Sequence, residues 1–181
     1  RILQAPRTGI GHYVAELANA LASEPDIELA LFHGWGWSSV LPEAAMPGYS
    51  RLTPLLRQIP GAYQARRWLE QKRFDQGRAQ TIDLYHEPSL WPLSFDGPTI
   101  ITLHDLTHLH YPETQPPSRL REIERRLADG VQQASLIICD SQYIADEAQA
   151  HFGLPAERFV VAPLGVAARF HPRSPEAIDA V

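Results

Sequence analysis

Two glycines define the sharpest local pattern, Thr8-Gly9-Ile10-Gly11-His12-Tyr13. Without Cβ atoms the backbone at Gly9 and Gly11 can approach a ligand closely, and free N–H groups at a helix start favour an anion such as a diphosphate. A dinucleotide fingerprint would need a third glycine at position 14, where Val14 stands, so an NAD site fits poorly. Shaping a tight turn is the other use of the same glycines. The second pattern is Leu103-His104-Asp105-Leu106-Thr107-His108-Leu109-His110. His104 and Asp105 directly follow an apolar run, and open α/β sheets hold ligands just beyond the carboxyl ends of their strands. Three histidines and one aspartate in this segment could also ligate a metal, as in a metal-dependent hydrolase. The spacing matches no zinc pattern, however, and no cysteine or carboxylate cluster accompanies it. Packing within a loop accounts for His108 and His110. Asp140-Ser141 ends another apolar run, and there Ser141 suits a helix N-cap. Ala162-Pro163-Leu164-Gly165-Val166 is a turn that can lead into a following domain.

Charge and composition narrow the field. The 181 residues carry a net charge of −5 with 44% hydrophobic and 20% charged residues, a globular composition large enough for a real core. The acidic balance argues against a dedicated nucleic-acid partner. No window reaches the length of a membrane-spanning helix, and no secretion signal is visible. The lone Cys139 lies in the apolar run Leu136-Ile137-Ile138-Cys139, so a buried structural thiol is expected, in keeping with a reducing, cytoplasmic setting. Positive charge concentrates between Arg51 and Arg78, where Arg57, Arg66, Arg67, Lys72 and Arg73 interleave with Tyr63, Trp68 and Phe74. Such a stretch suits peripheral contact with a membrane face. A solvated helix face whose arginine stems cover apolar surface is the commoner use.

The elements that must position these residues alternate in kind. Helices are expected at 10–23, 62–80 and 118–133, and from Ser141 to Phe152 with Gly153 closing the last one. Another helix should begin near Ser174. Apolar strands are expected at 27–32, 84–86, 99–103, 136–139 and 159–162, and 34–50 reads as a long loop. Near-continuous apolar strands between helices indicate a Rossmann-like α/β fold, a parallel sheet with helices on both faces. A strand ahead of the first helix is also expected, and residues 1–8 are too short and polar to supply it.

Taken in order, TGIGHYVAEL, LYHEPSLWPL, TIITLHDLTHLHYPE and ASLIICDSQYIADEAQAHFGLPAERFVVAPLGV resemble the N-terminal domain of glycosyltransferase family four, its bacterial mannosyltransferase-like members in particular. The resemblance covers nearly the whole chain and is weakest over 34–80. It implies one half of a GT-B architecture, with residues 1–181 as the acceptor-side domain and a donor-binding domain elsewhere. It further implies a retaining transfer of a sugar from a GDP- or UDP-sugar to a glycan or lipid-linked acceptor, with no essential metal and no cofactor. In that likeness Gly9, Ile10 and Gly11 match the loop beside the donor diphosphate, and His104 and Asp105 the pair facing the transferred sugar. The same likeness implies that His12, Tyr13, Glu87 and Ser141 lie at the acceptor or cleft edge. Leu164 stands where an asparagine is usual. The alternative is a non-catalytic GT-B-like binding module.

Overall fold

The computed structural model describes residues 9–41, 62–77, 81–167 and 170–172. Its centre is a sheet of four parallel strands in sequence order: β3 (Tyr85–Glu87), β4 (Thr99–Leu103), β5 (Leu136–Cys139) and β6 (Phe159–Val161). Parallel neighbours require crossovers. The longest described one, between β4 and β5, holds the short helix α3 (Thr107–His110) and α4 (Pro117–Gln133). The chain is therefore the Rossmann-like α/β fold that its alternating pattern predicts.

Period-two alternation divides the sheet into two unlike faces. Ile101 and Leu103 of β4 and Ile137 and Cys139 of β5 are fully buried on one face. They pack with Ile123, Leu127 and Val131 of α4, and with Ala145 and Ala148 of α5 (Gln142–Phe152). The other face carries Thr102 and, one step beyond β4, His104. Helix α1 (Gly9–Ala22) meets this face through Tyr13, whose hydroxyl lies 3.2 Å from Thr102 Oγ1. Helices thus reach both faces.

Two glycines show how the elements close. Gly153 ends α5 with φ +63°, a left-handed backbone that disfavours any residue with a Cβ. Gly130 sits inside α4, where glycine ordinarily weakens a helix. A Cβ there would lie 2.8 Å from the Leu90 carbonyl oxygen, so the segment after β3 can press on α4 only because the side chain is missing.

The strand expected at 27–32 shrinks to β1 (Leu31–Phe32), which pairs antiparallel with β2 (Trp37–Ser38) inside the segment read as loop. The apolar run misleads because Ile27 is exposed and only its end finds partners. Phe32 and Trp37 close on Phe74 of helix α2 (Ala62–Asp75), with Tyr85 and Phe95 completing an aromatic cluster. The helix expected at 62–80 ends at Asp75, and Gln76 and Gly77 turn out of it. Elsewhere the boundaries shift by a residue or so: α1 spans 9–22, β3 spans 85–87 and β6 ends at Val161. The helix expected near Ser174 lies outside the described residues.

Candidate functional site

β4 and β5 run parallel with Thr102 beside Ile138 and Leu103 beside Cys139. Carried one step past the strands, this register sets His104 beside Asp140. Both side chains emerge at the carboxyl edge, and His104 Nδ1 lies 2.8 Å from Asp140 Oδ2. Each is mostly buried, with 16% and 18% of the side chain exposed. The partner of His104 is thus Asp140 rather than the adjacent Asp105. The Asp105 side chain turns back to accept the Thr107 backbone N–H at 2.9 Å and starts the short α3.

Around this pair runs a chain of polar contacts. The Tyr13 ring meets His104 edge-on, with centroids 4.9 Å apart and planes at 86°. Thr102 Oγ1, fully buried, lies between the Tyr13 hydroxyl and His86 Nε2, the latter at 2.9 Å. Burial, and then the nearby His104, lower the pKa of His86 from 6.5 to about 4, so its ring is neutral at ordinary pH. Among the described residues, two buried polar atoms of the cluster have no hydrogen-bond partner: His104 Nε2 and Asp140 Oδ1. Buried polar groups nearly always find partners within the fold or in bound water or ligand. These two therefore mark where a bound hydroxyl or water would dock.

The glycine pattern falls in the first turn of α1, where the leading N–H groups have no intrahelical acceptor. Gly9, Ile10 and His12 are exposed and Gly11 is buried. Among the described residues, nothing lies within 4 Å of a Cβ built on Gly9. Tyr13, two residues past Gly11, ties the turn to His104.

Other expected site residues have internal partners. Glu87, at the carboxyl end of β3, accepts from the Tyr85 hydroxyl at 2.8 Å and the Ser89 hydroxyl at 2.5 Å. Burial, and then the Glu87 charge, raise the Tyr85 pKa well above 10.0. Ser141 caps α5, its Oγ accepting the Ile144 N–H at 3.3 Å. Cys139 is a buried free thiol, pushed up to about 11 by burial and by Asp140. His108 is buried, which lowers its pKa, and His110 contacts Glu147. Among the described residues, no three His, Cys, Asp or Glu side chains group as metal ligands. The hydrolase reading of His104, Asp105, His108 and His110 therefore has no geometric support.

Three of the described basic residues in this stretch bond within the domain. Arg66 pairs with Glu70 at 3.3 Å, and Arg67 donates to the Trp91 and Pro92 carbonyls. Arg73 donates to the Trp35 carbonyl and stacks on the Trp35 ring. Lys72 lies over Trp68, which is 65% exposed. Arg51, Arg57 and Arg78 lie outside the described residues. Among the described residues no helix is long and apolar enough to cross a membrane.

Asp140 and the Thr102–His86 pair were not among the expected site residues. One signal for Asp140 was available: like His104, it is the first residue past an apolar strand. Neighbouring parallel strands bring equivalent positions side by side.

A Rossmann-like sheet with a glycine-bearing helix start and a histidine beside it at the carboxyl edge suits a protein that binds ligands across that edge. Residues 7–170 match the family described as Glycosyltransferase Family 4, and the chain belongs to that family. It is also 31% identical over 181 residues to an Escherichia coli protein named O-antigen chain mannosyltransferase B, a match covering 96% of this chain. The chain spans about half of that relative, 48% of its length.

Proposed function

We propose that this domain is the acceptor-side half of a retaining glycosyltransferase that moves a sugar from a nucleotide-sugar to a saccharide or lipid-linked acceptor. The observation that carries the reading is the unpartnered Nε2 of His104, buried at the carboxyl edge of β4 beside the first turn of α1. A hydroxyl of the transferred sugar or the acceptor would complete that nitrogen's hydrogen bonding. The leading N–H groups of α1 would stabilise charge building on the departing diphosphate. A second domain closing over this edge would supply most nucleotide contacts and exclude water, so that the acceptor captures the sugar. Mannose from GDP-mannose is the donor to try first, because the E. coli relative carries the name mannosyltransferase. The resemblance to the family implies no essential metal, and transfer is expected to persist in EDTA.

The setting proposed is the cytoplasm. Among the described residues, peripheral membrane contact would have Trp68 and Lys72 to rest on, because Arg66, Arg67 and Arg73 have partners within the domain.

The test is transfer by the full-length protein from GDP- and UDP-sugars to a saccharide acceptor, with the product anomer read by NMR. His104→Ala should lower the rate about 100-fold or more, the usual scale for a positioned polar group in a transition state. Wild-type rates in that variant would remove His104 from the reaction, and an inverted anomer would remove the retaining mechanism.

A further inference from the structure

We infer that Asp140 is a positioning residue, holding the His104 ring as the Nδ1–H tautomer so that Nε2 faces the bound saccharide. The inference rests on the reading of His104 given above and adds a residue to it. In a neutral imidazole one nitrogen donates and the other accepts, and the partner of one nitrogen decides the state of the other. An ionised carboxylate can only accept. Asp140 Oδ2, at 2.8 Å from Nδ1, therefore places the proton on Nδ1 and leaves the lone pair on Nε2.

Three further features hold this arrangement. The Tyr13 ring edge lies against the imidazole and limits its rotation. Asp140 directly precedes Ser141, the cap of the 11-residue helix α5, so its charge lies near the positive end of that helix. His86, the other imidazole of the cluster, has its Nε2 on Thr102 and offers His104 no competing partner. The carboxylate oxygen left over, Oδ1, has no hydrogen-bond partner among the described residues.

Asparagine at 140 keeps the shape but can donate as well as accept, so it permits the opposite tautomer. In a Ser-His-Asp triad, losing the tautomer in this way lowers turnover by about four orders of magnitude. Here Asp140→Asn should lower kcat by about 100-fold or more, with KM for donor and acceptor nearly unchanged. The direct readout is the 15N shift pattern of histidine in the full-length protein, taken where the ring is neutral and with His104 assigned by its loss in His104→Gln. Wild type should show protonated Nδ1 and bare Nε2, and Asp140→Asn should gain the Nε2–H form. Tyr13→Phe, which keeps the ring edge, should leave the tautomer as in wild type.

An unchanged tautomer in Asp140→Asn overturns this inference alone. A changed tautomer with wild-type kcat overturns the positioning role, as does an effect confined to KM, which would make Asp140 a binding group. Wild-type rates in His104→Ala would overturn the reading of His104 itself, and with it any catalytic role for Asp140. Because the tautomer is measured without substrate, the two failures are distinguishable even in a protein that has lost transfer.

Discussion

The two edges of the sheet treat their polar side chains differently. At the amino edge, Arg158 just before β6 directs one terminal nitrogen at the carbonyls of Val131, Gln132 and Ala134, where α4 ends. Those carbonyls have no intrahelical donors, and a cation suits the negative end of the helix. Ser135 likewise receives the Thr99 N–H at 3.3 Å. At the carboxyl edge, His104 and Asp140 engage each other with one atom apiece and leave one buried atom apiece unmatched. Arg158 Nε is also unmatched, but a guanidinium with its terminal group on three carbonyls is anchored by the fold. The difference is one of reciprocity. Donor-only and acceptor-only groups complete each other at the amino edge, whereas at the carboxyl edge one atom of each group has no partner among the described residues.

The comparison breaks if the amino edge proves functional. Arg158→Ala would strand three carbonyls at the end of α4, and leaving buried acceptors unmade costs about 1–3 kcal/mol. The expected outcome is a loss of about 2–3 kcal/mol in urea unfolding, with kcat of the folded protein unchanged. A fall in kcat without loss of stability would mean that charge at this edge reaches the reaction, against the division drawn above.

The His86 contact sharpens the carboxyl side, because it joins the open site to the interior. Its folded pKa, about 4, lies below the 6.5 of a free imidazole, so below pH 6.5 the unfolded chain takes up a proton that the folded one refuses. Stability is therefore unaffected above that pH and falls as pH drops from about 6.5 toward 4. Between pH 7 and pH 5 the loss assignable to His86 is about 2 kcal/mol. His86→Gln, which keeps a polar partner for Thr102, should remove that part of the acid sensitivity when urea midpoints are compared at the two pH values. An unchanged slope would place the titrating group elsewhere.

How far the sequence foretold all this depends on the range of the interaction. Ser141 and Gly153, which bound α5, are local signals, and both were legible because a cap and a left-handed residue act within a turn of the chain. The strands 99–103 and 136–139 were legible because buried parallel strands must be apolar throughout. The His104–Asp140 bond was not, since it spans 36 residues and depends on which strands become neighbours. Adjacency in sequence favoured Asp105, yet the backbone turn into α3 directs that carboxylate to the Thr107 N–H. The 27–32 run failed for the opposite reason. Its residues are apolar enough for a strand, but after Phe32 the chain folds back on Trp37 and no sheet forms along the rest.

Ser141 is where the smallest effect separates the two kinds of polar group, because it stands next to Asp140 on the open edge and yet behaves like the closed one. Its Oγ accepts the Ile144 N–H, a capping role that explains a serine there completely. Family resemblance alone would also place it at the cleft. Ser141→Ala should lower stability by about 1 kcal/mol, the usual value of a cap, and leave kcat and KM within a factor of two or so. Ser141→Asn, another good cap, should restore the stability. If transfer instead fell in both variants while Ser141→Asn restored stability, the hydroxyl would be needed for the reaction beyond its acceptor oxygen. The open edge would then extend from His104 through Asp140 to the first residue of the next helix. If transfer stays near the wild-type rate in both, the boundary between anchoring and reacting groups lies in the single peptide unit between Asp140 and Ser141.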